Sequence, residues 1–239
     1  MYISRIKLFN WKNFHDCEVV LSERCFIVGA NATGKSNFLD VIRFMRDIVK
    51  QGGGLQAAVA LRGGLKKIRC LSARQKTEVC IDVDICENGQ SSPKWRYSLE
   101  LSNKGGGIQK PYPLVNREIA YNYYTKETVL DRKYNSKGED SETLKFTHLE
   151  QPTANAEFRE IKDVFQTTEY LNVIPQFVRD ADSVMLSSGM EDYFGRNFME
   201  RLSLLNTATR NKYLKIINEV LLTAVPQFEN LSFVKDEKG

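Results

Sequence analysis

Apolar and charged positions alternate at the start of this 239-residue chain. Ile6 and Leu8 are interleaved with Arg5 and Lys7, and Val19 and Leu21 repeat the pattern after the turn-like NWKNFHD. Period two of this kind predicts half-buried strands. CFIV (residues 25–28) is apolar without alternation, which predicts a strand covered on both faces, as in the middle of an α/β sheet. A glycine-rich stretch follows. Then Phe38, Ile42, Met45 and Val49 recur at helical spacing, with Asp40, Arg43, Arg46 and Lys50 facing away. Three glycines, 52–54, stop that helix.

The period changes again over residues 77–147. Val79, Ile81, Val83 and Ile85 share one face of a strand, and Trp95, Tyr97, Leu99 and Leu101 share another. Ile119, Tyr121 and Tyr123 follow, then a strand-like ETVLDRK. ENGQSSP, NKGGG and NSKGED separate these runs and carry turn chemistry, so the region reads as an antiparallel meander. From residue 156 the pattern is helical. Phe158, Ile161 and Phe165 form one stripe; Leu214, Ile217, Val220 and Leu221 form another. Pro226 ends the last helix, and NLSFV predicts one more strand. The expected division is a lobe over 1–155 and a helical segment over 156–239.

Composition excludes some classes. No apolar run approaches the roughly eighteen residues of a membrane span. The opening MYISRIKLFNW is not a secretory signal. The five cysteines, Cys17, Cys25, Cys70, Cys80 and Cys86, form no CxxC pair. They read as free buried thiols of a cytoplasmic protein. Charge is uneven: residues 1–76 carry 14 Lys/Arg against 5 Asp/Glu. A basic part of this kind suits a polyanion, either nucleotide or nucleic acid.

GANATGKSN (residues 29–37) meets the pattern G-x-x-x-x-G-K-[ST] at Gly29, Gly34, Lys35 and Ser36. An apolar run leads in and an amphipathic helix leads out, which is the setting a phosphate-binding loop requires. The glycines let Gly29, Ala30, Asn31, Ala32, Thr33 and Gly34 turn their amides inward. Those amides and the helix N-terminus then form a nest for the β- and γ-phosphates of ATP. Lys35 supplies a mobile positive charge, and the Ser36 hydroxyl is placed to ligate Mg²⁺.

GANATGKSNFLDVIRF resembles the Walker A segment of the ABC-type ATPases that include RecF, SMC and OLD-like proteins. Asn31, Asn37, Leu39 and Asp40 match that pattern, and Ala32 replaces a common glycine. IKLFNWKNFHDCEVVL is similar to the opening strand of those proteins. By that resemblance Lys12 and Asn13 are nucleotide contacts; read without it, they form an ordinary β-turn. YLNVIPQFVRDAD and the terminal INEVLLTAVPQFENLSFVKDEKG are similar to bacterial AAA-family ATPases of the same kind. The resemblance implies an α/β P-loop NTPase fold, the ABC-type N-lobe, with an antiparallel meander and a helical segment. It also implies a homodimer of ATP-bound heads in the intact protein. DNA repair, recombination or phage defence would be its setting, with non-specific DNA contact or a nuclease or other effector as partner.

Hydrolysis needs more than this loop. A Walker B strand ends in a carboxylate that holds Mg²⁺. VCID ends at Asp82, but the alternation of Val79, Ile81 and Val83 predicts that Asp82 faces solvent. FVKDE ends in Asp236-Glu237, with Lys235 interrupting its apolar run. LSSGM (residues 186–190) superficially resembles an ABC signature, with no Walker B strand close behind. The resemblance implies that the catalytic carboxylate and signature loop lie beyond these residues, in a longer ATPase of which this chain is the N-terminal part. His15 and His148 are the only histidines, which leaves little room for histidine-based metal or hydrolase chemistry. Two other readings stay open. One is a P-loop phosphotransferase with LRGGLKK (residues 61–67) as its lid. The other is a non-hydrolysing scaffold that binds ATP to order its fold.

Overall fold

The computed structural model describes residues 1–72, 76–105, 111–136, 140–172, 176, 194–195, 197–225 and 227–234. The chain divides into two compact units, 1–168 and 169–239.

The first unit is built on one antiparallel sheet. Its strands are β1 (Tyr2–Trp11), β2 (Phe14–Val20), β3 (Val79–Cys86), β4 (Pro93–Lys104), β5 (Tyr112–Asn122) and β6 (Glu127–Lys133). The spatial order is β2-β1-β3-β4-β5-β6. The mixed α/β architecture is that of a P-loop NTPase, and the predicted meander is present as β3 to β6. Among the described residues three helices lie between β2 and β3: α1 (Lys35–Val49), α2 (Leu55–Ala60) and α3 (Leu65–Ile68). A fourth, α4 (Arg159–Gln166), follows the sheet.

One face of the sheet holds the core. Ile6 and Leu8 of β1 lie there fully buried, with Val79, Ile81, Val83 and Ile85 of β3 and Tyr97, Leu99 and Leu101 of β4. The alternation works because successive side chains of a strand point to opposite faces. Against this layer α1 buries Phe38, Val41, Phe44, Met45, Ile48 and Val49. The predicted stripe Phe158, Ile161 and Phe165 is buried as well.

Several expectations fail, each for a physical reason. Cys25, Phe26, Ile27 and Val28 are in no strand. Phe26 and Val28 are 90% and 89% exposed, and Cys25 is an exposed thiol rather than a buried one. An apolar run forms a buried strand only where it finds backbone partners, and this segment pairs with none of the described strands. Asp82 is 4% exposed rather than solvent-facing. It does sit opposite the core, but Arg5 Nη2 donates to it at 2.5 Å and Arg96 Nη2 at 2.7 Å. These guanidinium groups roof that face, so Asp82 is a structural ion-pair partner and not a Walker B carboxylate.

In β5 the core-facing residues include Glu118 and Ala120, which lie opposite Leu99 and Tyr97. Ile119 is only partly buried. Glu118 is fully buried and heavily bonded. Its carboxylate accepts from Tyr97 Oη at 2.7 Å, His148 N at 2.9 Å and Leu149 N at 3.0 Å, and Arg132 Nε lies at 3.5 Å. Burial pushes the Glu118 carboxyl above its ordinary range despite these donors. Glu150 is also raised by burial; it caps α2 by accepting from Leu55 N at 2.7 Å.

The second unit contains α5 (Phe198–Leu204) and α6 (Thr207–Ala224). Asn206 caps α6, its side chain accepting from Thr209 N at 2.8 Å. Leu214 is 8% exposed, whereas Val220 of the predicted stripe is 60% exposed. NLSFV is not a strand; residues 230–234 are irregular. They are held to α6 through Asn218, which accepts from Leu231 N at 2.8 Å and donates to Leu231 O at 2.9 Å. Asp236-Glu237, Pro226 and LSSGM lie outside the described residues.

Candidate functional site: a glycine loop and the hairpin beside it

The loop of residues 29–34 opens directly into α1. Gly34 has φ 104°, a conformation that favours glycine. The packing demands glycine there too, since a Cβ would collide with the Asn13 amide and stand 2.9 Å from Phe14 Cζ. Ala32 has φ 64°, so its side chain is carried at some cost in a left-handed backbone. Lys35 Nζ donates to Gly29 O at 2.7 Å and Ala30 O at 2.6 Å. The ammonium group therefore lies folded over the cradle of the loop. Thr33 Oγ1 ties the loop internally, donating to Ala30 O at 2.9 Å. Ser36 is exposed at the first turn of the helix.

The β1–β2 hairpin is joined to this loop and helix at four places. Trp11, fully buried, donates from Nε1 to Asn37 O at 2.8 Å, and its ring packs on Phe44 at 5.2 Å between centroids. Asn13 accepts at Oδ1 from Asn37 Nδ2 at 2.8 Å. Phe14 meets Phe38 edge to face at 6.5 Å. Lys12 pairs with Asp40 of α1 at 2.6 Å. The turn is unusual in its backbone, with Asn10 at φ 55° and Lys12 at φ 50°. Surrounding bonds hold it there: Lys12 N donates to Ile68 O at 2.5 Å and Cys70 N to Asn10 O at 2.9 Å. Positive φ at a non-glycine residue persists only where its neighbours impose it.

The structure thus brings Lys12, Asn13, Gly34, Lys35, Ser36 and Asn37 into one place. It also supplies two residues that pattern alone does not single out as part of it. Arg62 donates to Asp40 from Nε at 2.9 Å and Nη2 at 2.8 Å, and to Asp47 from Nη1 at 2.9 Å. Asp47 is 2% exposed, one helical turn before Lys50 and two turns after Asp40, both of which the spacing predicts to face away from the core. The signal was present in the spacing: Asp40 and Asp47 are seven residues apart and so share a helix face. Burial alone would raise the Asp40 carboxyl, but hydrogen bonds from Arg62 and Lys12 outweigh it and hold it below the usual carboxylate range. The basic surplus of the N-terminal part is thus partly consumed inside the fold; Lys66 and Lys67 are among its exposed members.

ATP and Mg²⁺ fit the residues present. The loop amides and the Lys35 ammonium would hold the phosphates, and the Ser36 hydroxyl would meet the cation. When bound, the cation would offset phosphate charge. Among the described residues no group of His, Cys, Asp and Glu is arranged to hold a metal by itself. Nor is any described helix long and apolar enough to cross a membrane.

No curated protein matches the chain in sequence. Residues 3–45, which contain both the hairpin and the loop, match the P-loop containing region of AAA domain. A longer match covers residues 25–175, well over half of the chain. The chain therefore belongs to the P-loop family described as AAA domain, putative AbiEii toxin, Type IV TA system.

Proposed function

We propose that this chain binds Mg-ATP at residues 29–37 as the nucleotide-binding lobe of an ABC-type, RecF- or SMC-like ATPase. One observation carries the reading: the Lys35 ammonium lies over the carbonyls of Gly29 and Ala30 while the Lys12-Asn13 turn packs on Gly34. A cation and a row of amides at a helix start favour a polyphosphate. On binding, Lys35 exchanges carbonyl partners for phosphate oxygens, and Lys12 and Asn13 flank the nucleotide.

In the intact protein two ATP-bound heads close on each other as a homodimer and switch an attached activity. DNA repair, recombination or phage defence is the setting we propose. The toxin–antitoxin wording of the family description is compatible with the last of these. A nuclease or other effector is the proposed partner, with salt-sensitive, sequence-blind DNA contact through residues such as Lys66 and Lys67. Bare Phe26 and Val28, on the segment that enters the loop, support a site completed by a further strand of the intact protein. The lid of a phosphotransferase is disfavoured by the same structure, because Arg62 is pinned to Asp40 and Asp47.

The test is calorimetry with Mg-ATP on the wild type and Lys35→Ala. Loss of a charge-assisted phosphate contact, about 1.5–3 kcal/mol, predicts at least about tenfold weaker binding. Equal affinity in the two proteins would sink the assignment. Phosphate release by this chain should be negligible, since ground-state binding alone does not accelerate chemistry.

A further inference from the structure

The Asp40 carboxylate joins two segments that are far apart in sequence. Its Oδ2 receives Lys12 Nζ at 2.6 Å from the hairpin turn and Arg62 Nε at 2.9 Å from the segment after α2. Its Oδ1 receives Arg62 Nη2 at 2.8 Å. The third guanidinium nitrogen reaches Asp47 and Ala58 O, both at 2.9 Å. The guanidinium carbon lies 5.0 Å from the Phe44 ring centroid. Arg62 is 9% exposed in its side chain and Lys12 25%. Bidentate geometry of this kind fixes a carboxylate in direction as well as in place. Lys12 meanwhile has φ 50°, which its own chemistry does not favour, so a side-chain tether there sets where the turn rests.

We propose that Asp40 and Arg62 are positioning residues for the nucleotide: Arg62 fixes the Asp40 carboxylate, and Asp40 holds Lys12 so that the turn keeps Asn13 on Gly34. The inference rests on the reading that ATP binds at residues 29–37. Neither residue needs to touch the nucleotide. Both act through the hairpin, whose amide group at Asn13 contacts the loop helix at Asn37.

The experiment is Mg-ATP calorimetry on the whole chain, with thermal melting of each nucleotide-free variant. Asp40→Asn should weaken ATP about three- to tenfold, within the range measured for coupled neighbours. Asn13→Ala should cost less in an Asp40→Asn background than in the wild type, because the turn is already loose. Arg62→Lys keeps the charge but cannot span Asp40 and Asp47 together. It should also weaken ATP, and its effect should shrink in a Lys12→Met background. A role confined to stability predicts lower melting temperatures with additive or absent effects on affinity, and that outcome overturns the proposal. Should Asp40→Asn fail to fold, the Arg62→Lys and Lys12→Met cycle decides alone. Wild type without ATP affinity removes the nucleotide reading and this inference together. Binding that is lost in Lys35→Ala but unchanged in the Asp40 and Arg62 variants removes the inference only.

Discussion

Two apolar runs of this chain meet opposite fates. In β3, Val79, Ile81, Val83 and Ile85 are at most 1% exposed, and even the intervening Asp82 and Asp84 are covered. In residues 25–28, Phe26 and Val28 are almost as exposed as free side chains. Both runs are short and hydrophobic. The difference lies in backbone partners. β3 has β1 on one side and β4 on the other, registered residue by residue. The segment 25–28 has no ladder with any described strand. Hydrophobicity reports what a segment gains by burial, and the partner that provides it must still be supplied.

The comparison can be broken first where partners are densest. Glu118→Ala removes the acceptor shared by Tyr97, His148 N and Leu149 N and the carboxylate that faces Arg132. Breaking a buried pair from one side costs about 3–5 kcal/mol, so urea unfolding should show the first unit losing much of its stability. A loss near that of an ordinary surface substitution would mean that water satisfies those donors. A smaller effect is expected from Ile81→Ala, about 2–4 kcal/mol for a fully buried aliphatic chain.

Glu118→Gln sharpens the point through pH. The folded-state carboxyl of Glu118 is raised by burial, so the native state binds more protons than the unfolded one as pH rises through the ordinary glutamate range. The stability that Glu118 contributes is therefore full below the unfolded value and is lost as pH rises through the folded one. Denaturation series over that window should show a shallower fall in Glu118→Gln than in the wild type. The smallest effect belongs to the bare run: Phe26→Ser with Val28→Ser should change stability by no more than about 0.5 kcal/mol, while reducing self-association at high concentration. A large loss of stability would show that the segment has packing partners.

Much of the sheet was legible beforehand, since Ile6, Leu8 and the four apolar residues of β3 alternate strictly and fall on one face. The loop was legible because glycine, lysine and serine at that spacing have a specific job at a helix start. Asp82 misled, because alternation says which face a residue takes and not whether that face is roofed. Arg5 and Arg96 do the roofing, and neither is near Asp82 in sequence. Glu118 was hidden by the register shift between β4 and β5, which turns it inward. Arg62 read as part of a glycine-rich basic turn, and only folding brings it to Asp40 and Asp47. Pair interactions between distant segments leave little trace in a local pattern.

The strand order also constrains how the molecule assembles. The pairings β3–β4, β4–β5 and β5–β6 join sequence neighbours, so those hairpins close over short loops and can form quickly. The β1–β3 pairing is different, because the whole stretch carrying residues 29–37 and α1 lies inside the loop it closes. Closing a longer loop costs more chain entropy before any contact repays it. The nucleotide cradle should therefore be the late event in refolding, gained when β1 docks on a meander already formed. A ligand that recognises the cradle would then slow unfolding of this unit more than it speeds folding.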